Sequence, residues 1–107
     1  MSDEIKKILA ELKQGLQKIF GDQLKAVILF GSYARGDAHP PDSDIDVMVV
    51  LKGEFDRNQM SSLSDHYVAE LSLKYDVVIS VRVASEIQYA LSKFPLYINV
   101  RRDGVVV

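Results

Sequence analysis

Two short apolar runs constrain this chain more than anything else in it. The first is Ala26-Val27-Ile28-Leu29-Phe30. The second is Ile45-Asp46-Val47-Met48-Val49-Val50-Leu51, introduced by Asp44. Both are β-branched and brief, which predicts buried strands over residues 24–30 and 44–51. Between them the chain breaks at Gly31-Ser32 and crosses a polar loop. Strand alternation puts Asp44, Asp46, Met48 and Val50 on one face and Ile45, Val47, Val49 and Leu51 on the other. The pattern brings a small-residue turn and two carboxylates to one end of a sheet.

The flanking sequence supplies the layers. Residues 3–20 predict an amphipathic helix, with Ile5, Ile8, Leu9, Leu12, Leu16, Ile19 and Phe20 at helical spacing. Ser2 or Asp3 can cap its start and Gly21 can end it. Ser32 to Gly36 can start a short helix, with Ser32 near its N-cap. Pro40-Pro41 stiffens the loop over 37–43. Asp56 can cap a helix over 57–73 with an apolar stripe of Met60, Leu63, Tyr67 and Leu71. A third strand is expected over 76–83, with Asp76, Val78, Ser80 and Arg82 on one face. A short helix follows over 85–93, capped by Ser85. Pro95 suits the first turn of a last helix that Gly104 ends, and Val105-Val106-Val107 can add a final strand. The expected fold class is α/β (α+β): a small mixed sheet with flanking helices, its strand order not legible.

The 107 residues suit a single domain spanning 1–107. A net charge of −2 argues against charge-driven nucleic-acid binding. The chain has no cysteine, which excludes disulfides, thiolate metal sites and cysteine nucleophiles and fits a reducing interior. It has no apolar run of membrane-spanning length and no signal-peptide pattern, so the expectation is a cytoplasmic protein with no membrane partner.

Asp is a poor strand former, and Asp44 and Asp46, about 7 Å apart on one face, repel unless a cation lies between them. A hard divalent ion such as Mg²⁺ is held by one or two carboxylates together with substrate phosphates. Gly31 lets a backbone approach a ligand closely, and the Ser32 hydroxyl can donate to a phosphate oxygen. The chain has no P-loop, because no Gly-Lys-Ser/Thr follows the glycine. Arg35 is either a phosphate contact or a surface partner of Asp37 or Asp42. Arg82 could hold a carboxylate or nucleotide. His39 and His66 read as solvated or structural, and Arg101-Arg102 either as a basic rim for a partner or, the preferred reading, as complements to a helix C-terminus.

Gly31-Ser32, eleven intervening residues and Asp44-Ile45-Asp46 resemble the signature of the DNA polymerase β-like nucleotidyltransferase superfamily. The fuller Gly31-Ser32-Tyr33-Ala34-Arg35-Gly36 and Ser43-Asp44-Ile45-Asp46-Val47 resemble its minimal nucleotidyltransferases, the antitoxin-like (MNT-type) partners of HEPN-domain toxins. The resemblance implies a third carboxylate from a neighbouring strand, for which Asp76 is the candidate. It also implies two Mg²⁺ ions on Asp44, Asp46 and Asp76, and ATP phosphates against Gly31, Ser32 and Arg35. The implied activity is transfer of AMP to a hydroxyl, commonly tyrosine, of a HEPN toxin in a type VII-like toxin–antitoxin pair. Two other readings stand beside it: a non-catalytic antitoxin that acts by binding, and nucleotidyl transfer to a small molecule such as an aminoglycoside. Self-association or a hetero-oligomer with the toxin is compatible with all three.

Overall fold

The computed structural model describes residues 1–40 and 42–107, so the expected stiffening at Pro40-Pro41 lies partly outside the described residues. Helix α1 runs Asp3–Phe20, β1 Leu24–Phe30, α2 Ser32–Arg35, β2 Ile45–Leu51 and α3 Arg57–Tyr75. Strand β3 runs Ile79–Ser85, α4 Glu86–Leu91, α5 Pro95–Asp103 and β4 Val105–Val106. The sheet order is β3-β2-β1-β4. β2 runs antiparallel to β1 and parallel to β3, and β4 is antiparallel to β1, so the sheet is mixed.

Local chemistry explains most boundaries. Ser2 Oγ accepts from the Ile5 N–H at 3.2 Å and opens α1. Asp56 Oδ1 accepts from the Gln59 N–H at 3.1 Å and opens α3. At α4, Ser85 Oγ accepts from the Gln88 N–H (3.0 Å) while Gln88 Oε1 accepts from the Ser85 N–H (3.1 Å), a reciprocal capping box. Pro95 occupies the first turn of α5, where its missing N–H costs nothing.

The sheet separates two cores, as the alternation predicts. Ile45, Val47, Val49 and Leu51 join Val27, Leu29, Ile79 and Val83 under α1 and α3. Ile8, Leu12 and Leu16 of α1 are wholly buried there, and burial of each contributes roughly 1.5–3 kcal/mol. On the opposite face Met48 and Val50 pack with Ile28, Ala84, Tyr97 and Val100, chiefly under α5.

Three expectations need correction. Leu63 is exposed and does not belong to the buried stripe of α3; Ser64 and Val68 turn inward beside the expected Met60, Tyr67 and Leu71. The cap of α2 is Gly31 rather than Ser32. Helix α3 continues to Tyr75, and Asp76 takes a left-handed conformation (φ 53°, ψ 49°) as its C-cap. Strand β3 therefore begins at Ile79 and not at residue 76. The extra turn is locked by the Asp76 and Val77 N–H groups, which donate to the carbonyls of Leu73 (3.3 Å) and Ser72 (3.0 Å).

Candidate active site

The site lies where β1 ends and β2 begins. Asp46 is flanked on both sides, by Phe30 of β1 and by Ser80 of β3. Asp44 is exposed one residue before β2. Its position is fixed by neighbours: the Ile45 N–H donates to the Val78 carbonyl at 2.8 Å, and the Ser43 N–H donates to the His39 carbonyl at 3.1 Å. The Ser43 hydroxyl in turn accepts from the His39 N–H at 2.8 Å.

The Asp46 carboxyl is pushed above its ordinary range, first by burial and then by the charge of Asp44; Arg35 and Arg82 pull it the other way. The pair is a like-charge site in a partly dry setting, where a bound cation removes a real cost. Gly31 makes the close approach possible. Its φ is 73°, and a Cβ there would overlap the Asp46 Oδ2 atom. Only glycine satisfies both demands. The Gly31 carbonyl accepts from the Ala34 and Arg35 N–H groups at 3.1 Å each, which turns the chain into α2. With a single turn of helix, α2 offers little dipole, so the anion-binding capacity rests on the glycine backbone, the Ser32 hydroxyl and Arg35.

Gly31, Ser32, Arg35 and Asp46 line one cavity of about 340 Å³, closed on its far side by Leu96, Asn99 and Asp103 of α5. Arg35 also approaches Asp37 at 3.4 Å; both side chains are exposed and the pair is weak. Asn99 and Asp103 were not foreseen. Their i, i+4 spacing after a helix-starting Pro95 is a signal for one shared helix face, but nothing in the sequence says which way that face turns. Arg102 holds Asp103 through two hydrogen bonds (3.0 and 3.1 Å) and reaches Asn99 Oδ1 at 3.2 Å. That pairing keeps the Asp103 carboxyl below its usual range. Both arginines stand in the last turn of α5, as a dipole complement requires, and each also makes specific side-chain contacts. Arg101 donates to the carbonyls of Tyr89 (2.7 Å) and Ser92 (2.6 Å) and ties α5 to the end of α4.

The structure places Asp76 at the C-cap of α3, outside the cavity that Asp46 lines. Asp76 lines a different hollow, with Tyr33, Gly36 and Ser43. Among the described residues no group of three carboxylates, histidines or cysteines could hold a metal ion. The physical reason is the longer α3: the residues that follow Asp76 are spent reaching the strand, and the ladder sets Ser80 beside Asp46. His66 meets Glu70 at 2.8 Å on the surface of α3, in line with a structural role.

A mixed sheet that sets Asp46 of β2 against a glycine–serine bend, with Asp44 one residue before the strand, has the layout of a nucleotide-transfer type of site. Residues 5–104 match the model of the nucleotidyltransferase domain family, and the chain belongs to that family. It is a nucleotidyltransferase. A candidate protein adenylyltransferase of Methanocaldococcus jannaschii is 40% identical over 82 residues, covering 72% of this chain and 76% of the relative. The protein adenylyltransferase MntA of Thermococcus cleftensis is 30% identical over 96 residues, covering 90% of this chain and 94% of the relative. The crystal structure of a nucleotidyltransferase from Sulfolobus solfataricus superposes with a TM-score of 0.67 at 24% identity, over 94% of this chain and 76% of that one. A toxin–antitoxin complex crystallised with AMP-PNP superposes at 0.56 with 22% identity, over 90% of this chain and 69% of that one. At these identities the two structures establish the shared fold.

Proposed function

We propose that this protein transfers AMP from ATP to a hydroxyl of a partner protein, and that the partner is a HEPN-type toxin which the modification silences. The observation that carries the reading is the cavity shared by Gly31, Ser32, Arg35 and Asp46, with Asp44 beside it. The names of the relatives at 40% and 30% identity support AMP and a protein acceptor. Tyrosine is the acceptor side chain that the family resemblance implies. The cytoplasm is the compartment in which such a pair would meet; among the described residues no helix is long and apolar enough to cross a membrane.

Gly31 and Ser32 would receive the β- and γ-phosphates, with Arg35 adding charge. Asp44 and Asp46 suit a Mg²⁺ ion, since two acidic side chains, one of them half-buried, otherwise repel. When bound, the ion would supply charge neutralisation on the triphosphate. The acceptor oxygen would form its bond to the α-phosphorus as the bond to the β-phosphate bridge breaks. Pyrophosphate would leave with that electron pair, and the hydroxyl proton would pass to water at the open face. The chain's contribution is positioning: Gly31 brings the phosphates close, and α5 walls the cavity against competing water. In this reading Asp76, in the neighbouring hollow with Ser43, is assigned no role in the step.

A second reading is an antitoxin that acts by binding alone. It is favoured by the two-acid site, which lacks the third carboxylate the family resemblance implies. Incubation with α-labelled ATP, Mg²⁺ and the product of the neighbouring gene separates the two. Label on the neighbour supports transfer. A tight complex without label supports masking, and label found only on an aminoglycoside added to a parallel incubation would contradict both.

A further inference from the structure

The reacting phosphorus has two sides, and the sheet order assigns them. Asp46 sits between β1 and β3. The Gly31-Ser32 bend, where the leaving phosphates would lie, is on the β1 side. In-line displacement brings the acceptor from the opposite side, toward β3. There a second cavity runs along the outer edge of β3 between α3 and α5. Arg57, Asn58, Ser61, Ser80 and Arg82 supply its polar lining, and Leu96 borders both cavities.

This groove is basic in a chain that is acidic overall, with 13 Lys and Arg against 15 Asp and Glu. Among the described residues neither Arg57 nor Arg82 forms an ion pair, whereas Arg35 and Arg102 each have a carboxylate. Arg82 stands close enough to the centre for its charge to act on Asp46. Two exposed guanidinium groups facing one groove repel each other, and an anionic ligand relieves that. Ser61, Ser80 and Asn58 add hydrogen-bonding side chains, and Leu96 with the buried Tyr97 gives an apolar wall.

We propose that the β3-edge groove is the acceptor subsite, and that it selects a hydroxyl carried on an acidic peptide segment. The proposal rests on the reading that AMP passes to a protein. The carboxylates flanking the acceptor hydroxyl pair with Arg57 and Arg82, and its ring or chain lies on Leu96 and Tyr97. Acceptor choice is thereby built into the edge of the sheet.

The test uses fluorescent peptides Glu-Glu-Tyr-Glu-Glu and Gln-Gln-Tyr-Gln-Gln with the whole protein, followed by anisotropy in the presence of AMP-PNP and Mg²⁺. The acidic peptide should bind roughly tenfold more tightly than the neutral one, the equivalent of one to two exposed charge pairs. Arg57→Ala and Arg82→Gln should each remove most of that preference. Arg57→Ala should leave AMP-PNP affinity and the melting temperature unchanged. In transfer assays the Arg57 substitution should raise the KM for the acceptor and spare the KM for ATP. Equal binding of the two peptides, no binding of either, or a preference that survives both substitutions would overturn the proposal. A fall in AMP-PNP affinity for Arg57→Ala would assign the groove to the triphosphate and overturn it as well. If the acidic peptide binds in an Arg57-dependent way but no acceptor is ever labelled, the transfer reading fails and the groove stands as an acidic-peptide site.

Discussion

The two faces of the sheet are finished to different degrees. Under α1 and α3 the packing is continuous: wholly buried Ile8, Leu12 and Leu16 meet Val27, Leu29, Val47, Val49 and Leu51. Polar contacts brace the same side. Tyr67 Oη donates to the Glu11 carbonyl at 2.6 Å, Lys74 Nζ reaches Glu11 Oε1 at 2.6 Å, and the Tyr75 hydroxyl donates to the other Glu11 oxygen. The opposite face is covered mainly where α5 sets Tyr97 and Val100 against Ile28, Met48 and Val50. Toward the start of β2 that cover stops, and Asp44, Asp46, Ser80 and Arg82 are left at the surface or half-buried. One face stores stability so that the other can keep a pair of like charges that works against it.

The contrast predicts that substitutions on the open face change chemistry and those on the packed face change stability. The largest effect should come from Asp44→Asn. Transfer should fall by more than about 100-fold, as when a charged group at a phosphoryl-transfer centre is lost, with the melting temperature nearly unchanged. Retained activity in pure protein would break the contrast. On the packed face, a Cβ at Gly15 would run into the Tyr67 ring where α1 crosses α3. Gly15→Ala should cost about 1–3 kcal/mol in chemical denaturation, reduced by alanine's better helix propensity, and leave AMP-PNP affinity intact. A drop in nucleotide affinity at unchanged stability would invert the expected division.

Two smaller effects sharpen it. Burial and Asp44 raise the Asp46 pKa in the folded protein. A raised carboxyl favours the fold at low pH and loses that contribution as pH rises through the folded value, so at neutral pH ionised Asp46 opposes folding. Asp46→Asn should therefore raise the melting temperature of metal-free protein at pH 7 and add nothing at a pH where Asp46 is already protonated. Glu11 has the opposite sign, lowered first by its hydrogen bond to Lys74 and then by that to Tyr75. Its contribution is present above the unfolded carboxylate range and is lost as pH falls through the folded value. Glu11→Gln should flatten the acid side of a melting-temperature profile slightly, because the pair with Lys74 is largely exposed.

The sequence was informative where the physics is local. Period-two alternation in β2 sorted its residues between the two cores, Ser85 and Pro95 marked the starts of α4 and α5, and Gly31-Ser32 marked the bend. It failed where a boundary depends on tertiary context. The run from Lys74 to Val78 can begin a strand or end a helix, and Ser72 and Leu73 carbonyls decided for the helix, which removed Asp76 from the ladder. Asn99 and Asp103 were hidden for a related reason. The helix was legible but its docking against β1 was not, so its contribution to the cavity wall emerged only with the fold.

The central claim, that nucleotide binds at the β1–β2 end of the open face, is tested most directly by amide chemical-shift mapping with AMP-PNP and Mg²⁺. The largest shifts should fall on Gly31, Ser32, Asp44 and Asp46, with smaller ones at Asn99 and Asp103 and none along the buried face of α1. Shifts centred instead on Asp76, Tyr33 and Gly36, with Asp46 unmoved, would contradict it.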